Sequence, residues 1–294
     1  MGARLAHALN FQGHHVTVAT RCEIDLIPKE LDGVDCVSID WESSASIARA
    51  CVDIDLVIHA AGMTAQECLL NPKAGISFRR EAARSLLNSC HDSVVKSIIY
   101  LSTMHVYGES LTGIIDESTM TVNAHPYAYS HIEAEQVLLT ALKSEIIDVH
   151  ILRLANIFGA PLIPSTQCWD LVINNFCMQA VKTGKIIVKN SKNIQKSFLP
   201  MAEFLRIVSN TINGENGYSD KGIKNVGYPF SISLGDMAEK IQMQYPQKIQ
   251  IMHEKKDEEK NNFFEYSSLY LPTPYSESTM RKEINELLQA CKKL

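Results

Sequence analysis

The feature that most constrains this chain is a short apolar run, Ile98-Ile99-Tyr100-Leu101, that ends in two hydroxyls, Ser102-Thr103. An unbroken β-branched and aromatic run of this length reads as a strand buried on both faces, the kind found inside parallel sheets. Parallel strands need helical crossovers, so the run commits its neighbourhood to an α/β architecture. After a loop, Pro126-Tyr127-Ala128-Tyr129-Ser130-His131 opens a helical pattern that continues through Ile132, Ala134, Val137 and Leu138. Tyr127 and His131 are four residues apart and share one helix face. A strand-end hydroxyl, a phenol and a basic ring are thereby brought toward one place, as carbonyl–alcohol redox chemistry requires.

These residues carry a family resemblance. The segment from Thr103 to Gly108 resembles the Ser/Thr-x-x-x-Tyr-Gly strand end of extended short-chain dehydrogenase/reductases, in the NAD-dependent epimerase/dehydratase branch that works on nucleotide sugars. Tyr127 to His131 resembles that family's Tyr-x-x-x-Lys helix, with histidine at the lysine position. The resemblance implies a Rossmann-like, doubly wound parallel sheet over residues 1–155 and a smaller α/β substrate-binding part over 156–294, with some interleaving of segments. It implies Thr103, Tyr127 and His131 as the catalytic set, and NAD or NADP as cofactor.

At its start the chain reads as an amphipathic helix, Met1 to Leu9, then a β-branched strand, His15 to Thr20. In the family that helix follows a first strand and a GxxGxxG turn. Gly2 falls where the third glycine stands, so the first strand and two glycines are missing from the pattern. Those glycines let backbone approach a pyrophosphate at a helix N-terminus. A start site placed too late in the gene is the expectation, because the rest of the chain has not decayed into low-complexity sequence.

Dinucleotide folds often place an acid after the second strand to hold the ribose hydroxyls. Thr20-Arg21 stands there instead, and a guanidinium without a carboxylate leans toward a 2′-phosphate and NADP. The resemblance puts Asp40, after a third strand Asp35–Ile39, against the adenine amino group. A fourth strand, Ile54–His59, runs into Ala60-Ala61-Gly62, small residues that let a cofactor pass over the sheet edge. In the next helix the family's Asn-x-x-Gly-Thr is replaced by Arg79-Arg80-Glu81-Ala82-Ala83.

A further strand, Val149–Leu154, leads to Asn156-Ile157-Phe158-Gly159, similar to the family's Arg-x-x-Asn-x-Tyr-Gly-Pro segment. By that resemblance Asn156 approaches the sugar-nucleotide phosphates. A helix from Trp169 through Ala180 carries Asn174, a candidate for hydrogen bonding a nucleotide base or its phosphate. Gln195-Lys196-Ser197-Phe198 resembles Arg-Asp-Phe-Ile/Val, with Lys196 keeping the phosphate-clamping charge but not the bidentate fork.

The weak point is charge. A free phenol titrates near about 10, so tyrosinate chemistry at neutral pH relies on a neighbouring cation. Histidine, with an ordinary pKa of about 6.5, is largely neutral there. Two function classes therefore stand: a nucleotide-sugar epimerase or ketoreductase in surface-polysaccharide synthesis, or a non-catalytic nucleotide-binding protein on a decayed enzyme fold. Dehydration is disfavoured, because the family's dehydratases follow the threonine with Asp-Glu and this chain has Met104-His105.

Composition narrows the rest. A net charge of −5 offers no electrostatic case for nucleic acid or an anionic membrane. No apolar stretch is long enough to span a bilayer, and the N-terminus lacks the layout of a secretory signal. The eight cysteines are scattered without a CxxC pair and read as reduced thiols in a cytoplasmic protein with no metal site. The mixed-charge run Glu254–Asn262 reads as a solvated loop. By resemblance the chain pairs as a homodimer through the helices flanking the tyrosine.

Overall fold

The computed structural model describes residues 1–21, 29–91, 93–166, 168–189, 191–215, 217–254, 263–271 and 276–294. Cys22 and residues 255–262 of the mixed-charge run lie outside the described residues. The first half runs α1 (Gly2–Phe11), β1 (Thr17–Thr20), β2 (Asp35–Ser38), α2 (Ser44–Ala50), β3 (Leu56–His59), α3 (Ala65–Leu70), α4 (Pro72–His91), β4 (Ser97–Thr103), β5 (Gly113–Ile115), α5 (Pro126–Lys143) and β6 (Asp148–Leu154). The second half continues β7 (Asn156–Phe158), α6 (Val172–Thr183), β8 (Lys185–Val188), β9 (Gln195–Lys196), β10 (Phe198–Pro200), α7 (Met201–Ile212), β11 (Gly222–Val226), β12 (Ile232–Ser233), α8 (Leu234–Gln244), β13 (Gln250–His253), β14 (Phe264–Tyr266) and α9 (Glu277–Lys292). Strand–helix alternation and a parallel sheet give the Rossmann-like class that the apolar run implies.

The main sheet has the order β11-β6-β4-β3, all parallel. Its central strands are buried on both sides, and the side chains sort by the two-residue period of a strand. Ile98, Tyr100, Val149 and Ile151 pack on one face with Ile47 of α2, Leu86 of α4 and Leu138 of α5. Ile99, Leu101, Leu152 and Leu154 pack on the other with Leu5 and Leu9 of α1, Phe204 of α7 and Ile284 of α9. Each fully buried isoleucine contributes roughly 1.5–3 kcal/mol over leaving it exposed, which makes the Ile98–Ile99 pair a strong anchor.

Strands β1 and β2 form a separate parallel pair, and β3 ends the main sheet. Among the described residues no strand lies between them, in keeping with the strand missing from the sequence pattern. The two parts still meet at their carboxyl ends, where Trp41, just after β2, packs its ring 5.2 Å from that of His59 at the end of β3.

The second half does not form an independent block. β11 closes the edge of the main sheet beside β6, with Val226 opposite Leu154, so the two parts interleave. The helix expected from Trp169 begins at Val172; Trp169 lies in the preceding turn, where its indole N–H donates to the Pro164 carbonyl at 3.0 Å. Glu283 of α9, 1% exposed, fastens the halves: it accepts from Arg4 of α1 at 2.6 Å and from the Ala202 backbone N–H at 2.9 Å. No helix among the described residues is long and apolar enough to cross a membrane.

Candidate active site

The site is built at the carboxyl end of β4 and the first turns of α5. Thr103 ends β4 and caps the 3-10 turn Met104–Tyr107, its hydroxyl oxygen accepting from the His105 N–H at 3.3 Å. α5 starts where it does because His125 caps it through Nδ1, accepting from the Tyr127 N–H at 3.2 Å, and Pro126 occupies the first helical position. The buried residues Ala128, His131, Ala134, Glu135, Leu138 and Ala141 then form one inward stripe at helical spacing. Tyr127 and His131 meet on that face with ring centroids 4.8 Å apart, edge to face. Tyr129 points outward and is 42% exposed, which separates it from the site.

His131 is 2% exposed. Its Nδ1 lies 2.9 Å from the Tyr100 hydroxyl. Burial drives the Tyr100 phenol above its ordinary range, so Tyr100 remains a proton donor and His131 accepts at Nδ1. The imidazole then carries its proton on Nε2, which is buried and has no hydrogen-bond partner among the described residues. Burial, followed by the charge of Arg79, lowers His131 well below the ordinary histidine value. At neutral pH it is an uncharged N–H donor and does not supply the cation of the family pattern.

A cation is nevertheless present. Arg79 lies on the inward stripe of α4, with Gly75, Ala82, Ala83, Leu86 and Cys90, and is 5% exposed. Its guanidinium carbon stands 5.4 Å from the centre of the Tyr127 ring, and it donates to the carbonyls of Ala61 at 3.3 Å and Met63 at 2.9 Å. Gly62 is needed for that approach, since a Cβ there would sit 2.1 Å from Nη1 of Arg79. The sequence reading gave the small residue at position 62 to a passing cofactor; the structure uses one side of it to admit Arg79. In the sequence Arg79 stands out as a departure from the family pattern, and its place on an apolar helical stripe is the signal that points to a buried role.

The remaining predicted residues fall into two groups. Gly2 starts α1, whose N-terminus has no side-chain cap, and a Cβ at Gly2 would meet nothing within 4 Å. Arg21, Asp40 and Ala60 are exposed at strand ends, and Ala61 is half-buried. Arg21 lies within electrostatic reach of Glu67, so its charge is partly matched. Asp40 accepts from the Glu42 N–H at 3.0 Å, leaving oxygen capacity for a further donor.

On the other side, Asn156 donates to the Ser197 carbonyl at 2.8 Å and lies 3.5 Å from the Met104 sulfur, tying the second half to the turn after Thr103. Lys196, half-buried, has no ion-pair partner among the described residues; burial lowers its pKa. Its charge reaches His105, which burial and then Lys196 bring down to about 4. Asn174 departs from the expectation. It is fully buried, and its amide clasps the Gly159 backbone, accepting from N–H at 3.2 Å and donating to C=O at 3.0 Å. Both ends are committed, so it shapes the loop from behind and is not free to contact a base. That loop, with Met1 and Arg4, walls a cavity of about 250 Å³ at the N-terminus of α1.

Beneath the site runs a buried network that sequence reasoning did not find. Glu135 accepts from Arg153 Nε at 3.1 Å and Nη2 at 2.6 Å, and from the Ser102 hydroxyl at 2.5 Å. Arg153 Nη1 also donates to the Tyr107 hydroxyl at 2.8 Å, which donates to Asn225 at 2.7 Å.

Residues 1–212 match the model of the NAD dependent epimerase/dehydratase family. The chain belongs to that family. A dTDP-D-glucose 4,6-dehydratase of Dictyostelium discoideum is 27% identical over 203 residues, covering 64% of this chain and 44% of that protein. A UDP-glucose 4-epimerase of Azospirillum brasilense is 29% identical over 167 residues, covering 54% of this chain and 47% of that protein. The chain thus spans about half the length of the curated relatives it matches. In fold it is similar to a UDP-N-acetylglucosamine 4-epimerase from Methanobrevibacter ruminantium M1, with a TM-score of 0.80 at 18% identity, covering 98% of this chain and 94% of that one. This is an NAD-dependent family, and two features of the chain suit a dinucleotide: the uncapped helix start at Gly2, with open space around it, and the unpartnered Nε2 of His131.

The buried histidines also set a pH dependence. His59, His105 and His150 are each brought down to about 4, mainly by burial, and His131 falls well below its ordinary value. Unfolded histidine titrates near about 6.5, so below that pH the unfolded chain binds protons that the native state refuses. The associated stability is complete above about 6.5 and drains away as pH falls toward 4, by about 3 kcal/mol for one such group. Urea unfolding at successive pH values should show the loss already between about 6.5 and 5, before most carboxylates titrate. A flat profile across that interval would contradict this account of the four rings.

Proposed function

We propose that the chain is an NAD(P)-dependent epimerase or ketoreductase of nucleotide sugars, with Tyr127 moving the proton at the sugar oxygen. The observation that carries this reading is the packing of Tyr127 against His131 and Arg79 beside the hydroxyl-capped end of β4. A nicotinamide, when bound, supplies the carbon that takes or gives a hydride. The chain's own part is to bind, orient and handle the proton. Thr103 shares the hydrogen bond of the sugar oxygen, and Tyr127 gives or takes its proton. His131, through Nε2–H, donates to a ribose hydroxyl.

Gly2, at the positive end of α1, would face the cofactor phosphates. Asp40 would take the adenine amino group, Arg21 a 2′-phosphate, and Ala60, Ala61 and the open side of Gly62 the backbone approach. Asn156 and Lys196 would hold the substrate phosphates, with Asn174 supporting them through Gly159. Epimerisation or reduction is favoured over dehydration because buried Met104 and a neutral His105 follow Thr103, so no carboxylate stands there to assist loss of water. A nucleotide sugar altered at a ring carbon is a glycosyl donor, which suits a cytoplasmic role ahead of surface-polysaccharide synthesis.

The second reading, a non-catalytic binding protein, draws on the neutrality of His131. Calorimetric titration with NAD and NADP, followed by chromatography of UDP- and dTDP-hexoses incubated with the loaded protein, tests both. Micromolar dinucleotide binding with conversion of a hexose supports the enzyme. Binding of dinucleotide or nucleotide sugar with no conversion leaves the binding protein, and the absence of any binding defeats both.

A further inference from the structure

We infer that Arg79 is the permanent positive partner of the Tyr127 phenol, supplying from α4 the charge that His131 does not carry. The inference rests on the proposed acid/base role of Tyr127 for its consequence, but its physical basis is independent of turnover.

A guanidinium removed from water needs a counter-charge or a full set of acceptors. Arg79 is 5% exposed and has neither. Its partners are two backbone carbonyls and the Tyr100 hydroxyl, its Nε is buried without a partner, and no carboxylate pairs with it among the described residues. Among the described residues, the groups near it that can become negative are Tyr100, Cys68 and Tyr127. Tyr100 is fully buried, accepts from Arg79 and commits its own proton to His131, so it stays neutral. Cys68 is also fully buried, and its thiol is pushed up mainly by burial. Tyr127 alone of the three keeps part of its surface exposed, and its ring lies under the guanidinium at 5.4 Å.

The other groups around the phenol do not compete for this part. His131, 4.8 Å away ring to ring, is uncharged, and so is His59, beyond Tyr100. Arg80 is turned to Glu81 and Glu133. Burial raises the Tyr127 phenol, and among the described residues Arg79 is the charge that opposes the rise, with Cys68 adding to it. Arg79 is accordingly a positioning residue that acts through Tyr127. Its own place is set by Gly62, whose missing side chain lets the guanidinium reach the Ala61 and Met63 carbonyls.

The test is the ionisation of Tyr127 in the full chain, followed by NMR after labelling the tyrosine ζ carbons. The chain has 10 tyrosines, and the signal that vanishes in Tyr127→Phe is the one to follow. Arg79→Met should raise the apparent pKa of that signal by about one to two units, the effect of losing an opposite charge at this range. Arg79→Lys should leave it close to the parent value, and adding His131→Lys to Arg79→Met should bring it back down.

A structural role alone would lower thermal stability without moving the tyrosine, and His131→Lys would then restore nothing. If Arg79→Met does not fold, Gly62→Ala serves instead, because its Cβ pushes the guanidinium off while the charge stays in the protein; the Tyr127 pKa should again rise. An unchanged Tyr127 titration in the folded variant overturns the pairing. Should the pairing hold while Tyr127→Phe leaves nucleotide-sugar turnover intact, the pairing stands and the acid/base reading fails.

Discussion

Tyr127→Phe is expected to lower the turnover of nucleotide sugar by about 10²- to 10⁴-fold, the usual contribution of a positioned general acid or base. The variant removes one oxygen from a ring that stays packed against His131 and Arg79. Folding and dinucleotide affinity should therefore remain close to those of the parent chain. The pH profile carries a second signature. Burial raises the phenol above its ordinary value and Arg79 only partly offsets that. In the direction that needs a tyrosinate, the rate should climb through the alkaline range and not level off near neutrality. Steady-state kinetics of both proteins from about pH 7 to 10 measure this. Equal rates in parent and variant, with equal cofactor affinity, would remove Tyr127 from the chemistry.

The second large effect is on stability. Arg153→Met leaves the Glu135 carboxylate buried with, among the described residues, only the Ser102 hydroxyl as a donor. Breaking a buried ion pair by removing one partner typically costs about 3–5 kcal/mol, because the remaining charge is stranded. In a chain of this size such a loss lowers the melting temperature by roughly 5–8 °C. Replacing both partners, as in Glu135→Leu with Arg153→Met, should recover a large part of it, since no charge is then left unpaired. Calorimetric melting of the parent and the two variants measures the difference. A single variant as stable as the parent would mean that the Glu135–Arg153 pair contributes nothing to stability.

Much of the fold was legible in the residues themselves. The run Ile98–Leu101 is apolar on both faces and came out as a central parallel strand; the periodicity after Pro126 came out as a helix with Tyr127 and His131 on one face. Helix starts followed the same local logic, with Ser43 and Thr64 each capping the helix that follows it. Asn174 shows where local reading stops. Its helix was expected, but not the use of its amide on a loop fifteen residues earlier. Arg79 and Glu135 show the same limit. Each sits on an inward helical stripe where a charged residue has no local reason to be, and its partners come from elsewhere: Ala61, Met63 and Tyr127 for one, Ser102 and Arg153 for the other.

By itself the amino-acid order determined which segments become strands and helices, and therefore the parallel α/β class, because those choices depend on side-chain period, backbone preference and caps within a few residues. Only the tertiary structure decided the electrostatics of the site. His131 is neutral because the fold buries it against Tyr100, and a positive charge lies by Tyr127 because Gly62 and α4 bring Arg79 there. Charge and protonation in a protein interior depend on desolvation and on groups far apart in sequence, and neither exists until the chain has packed.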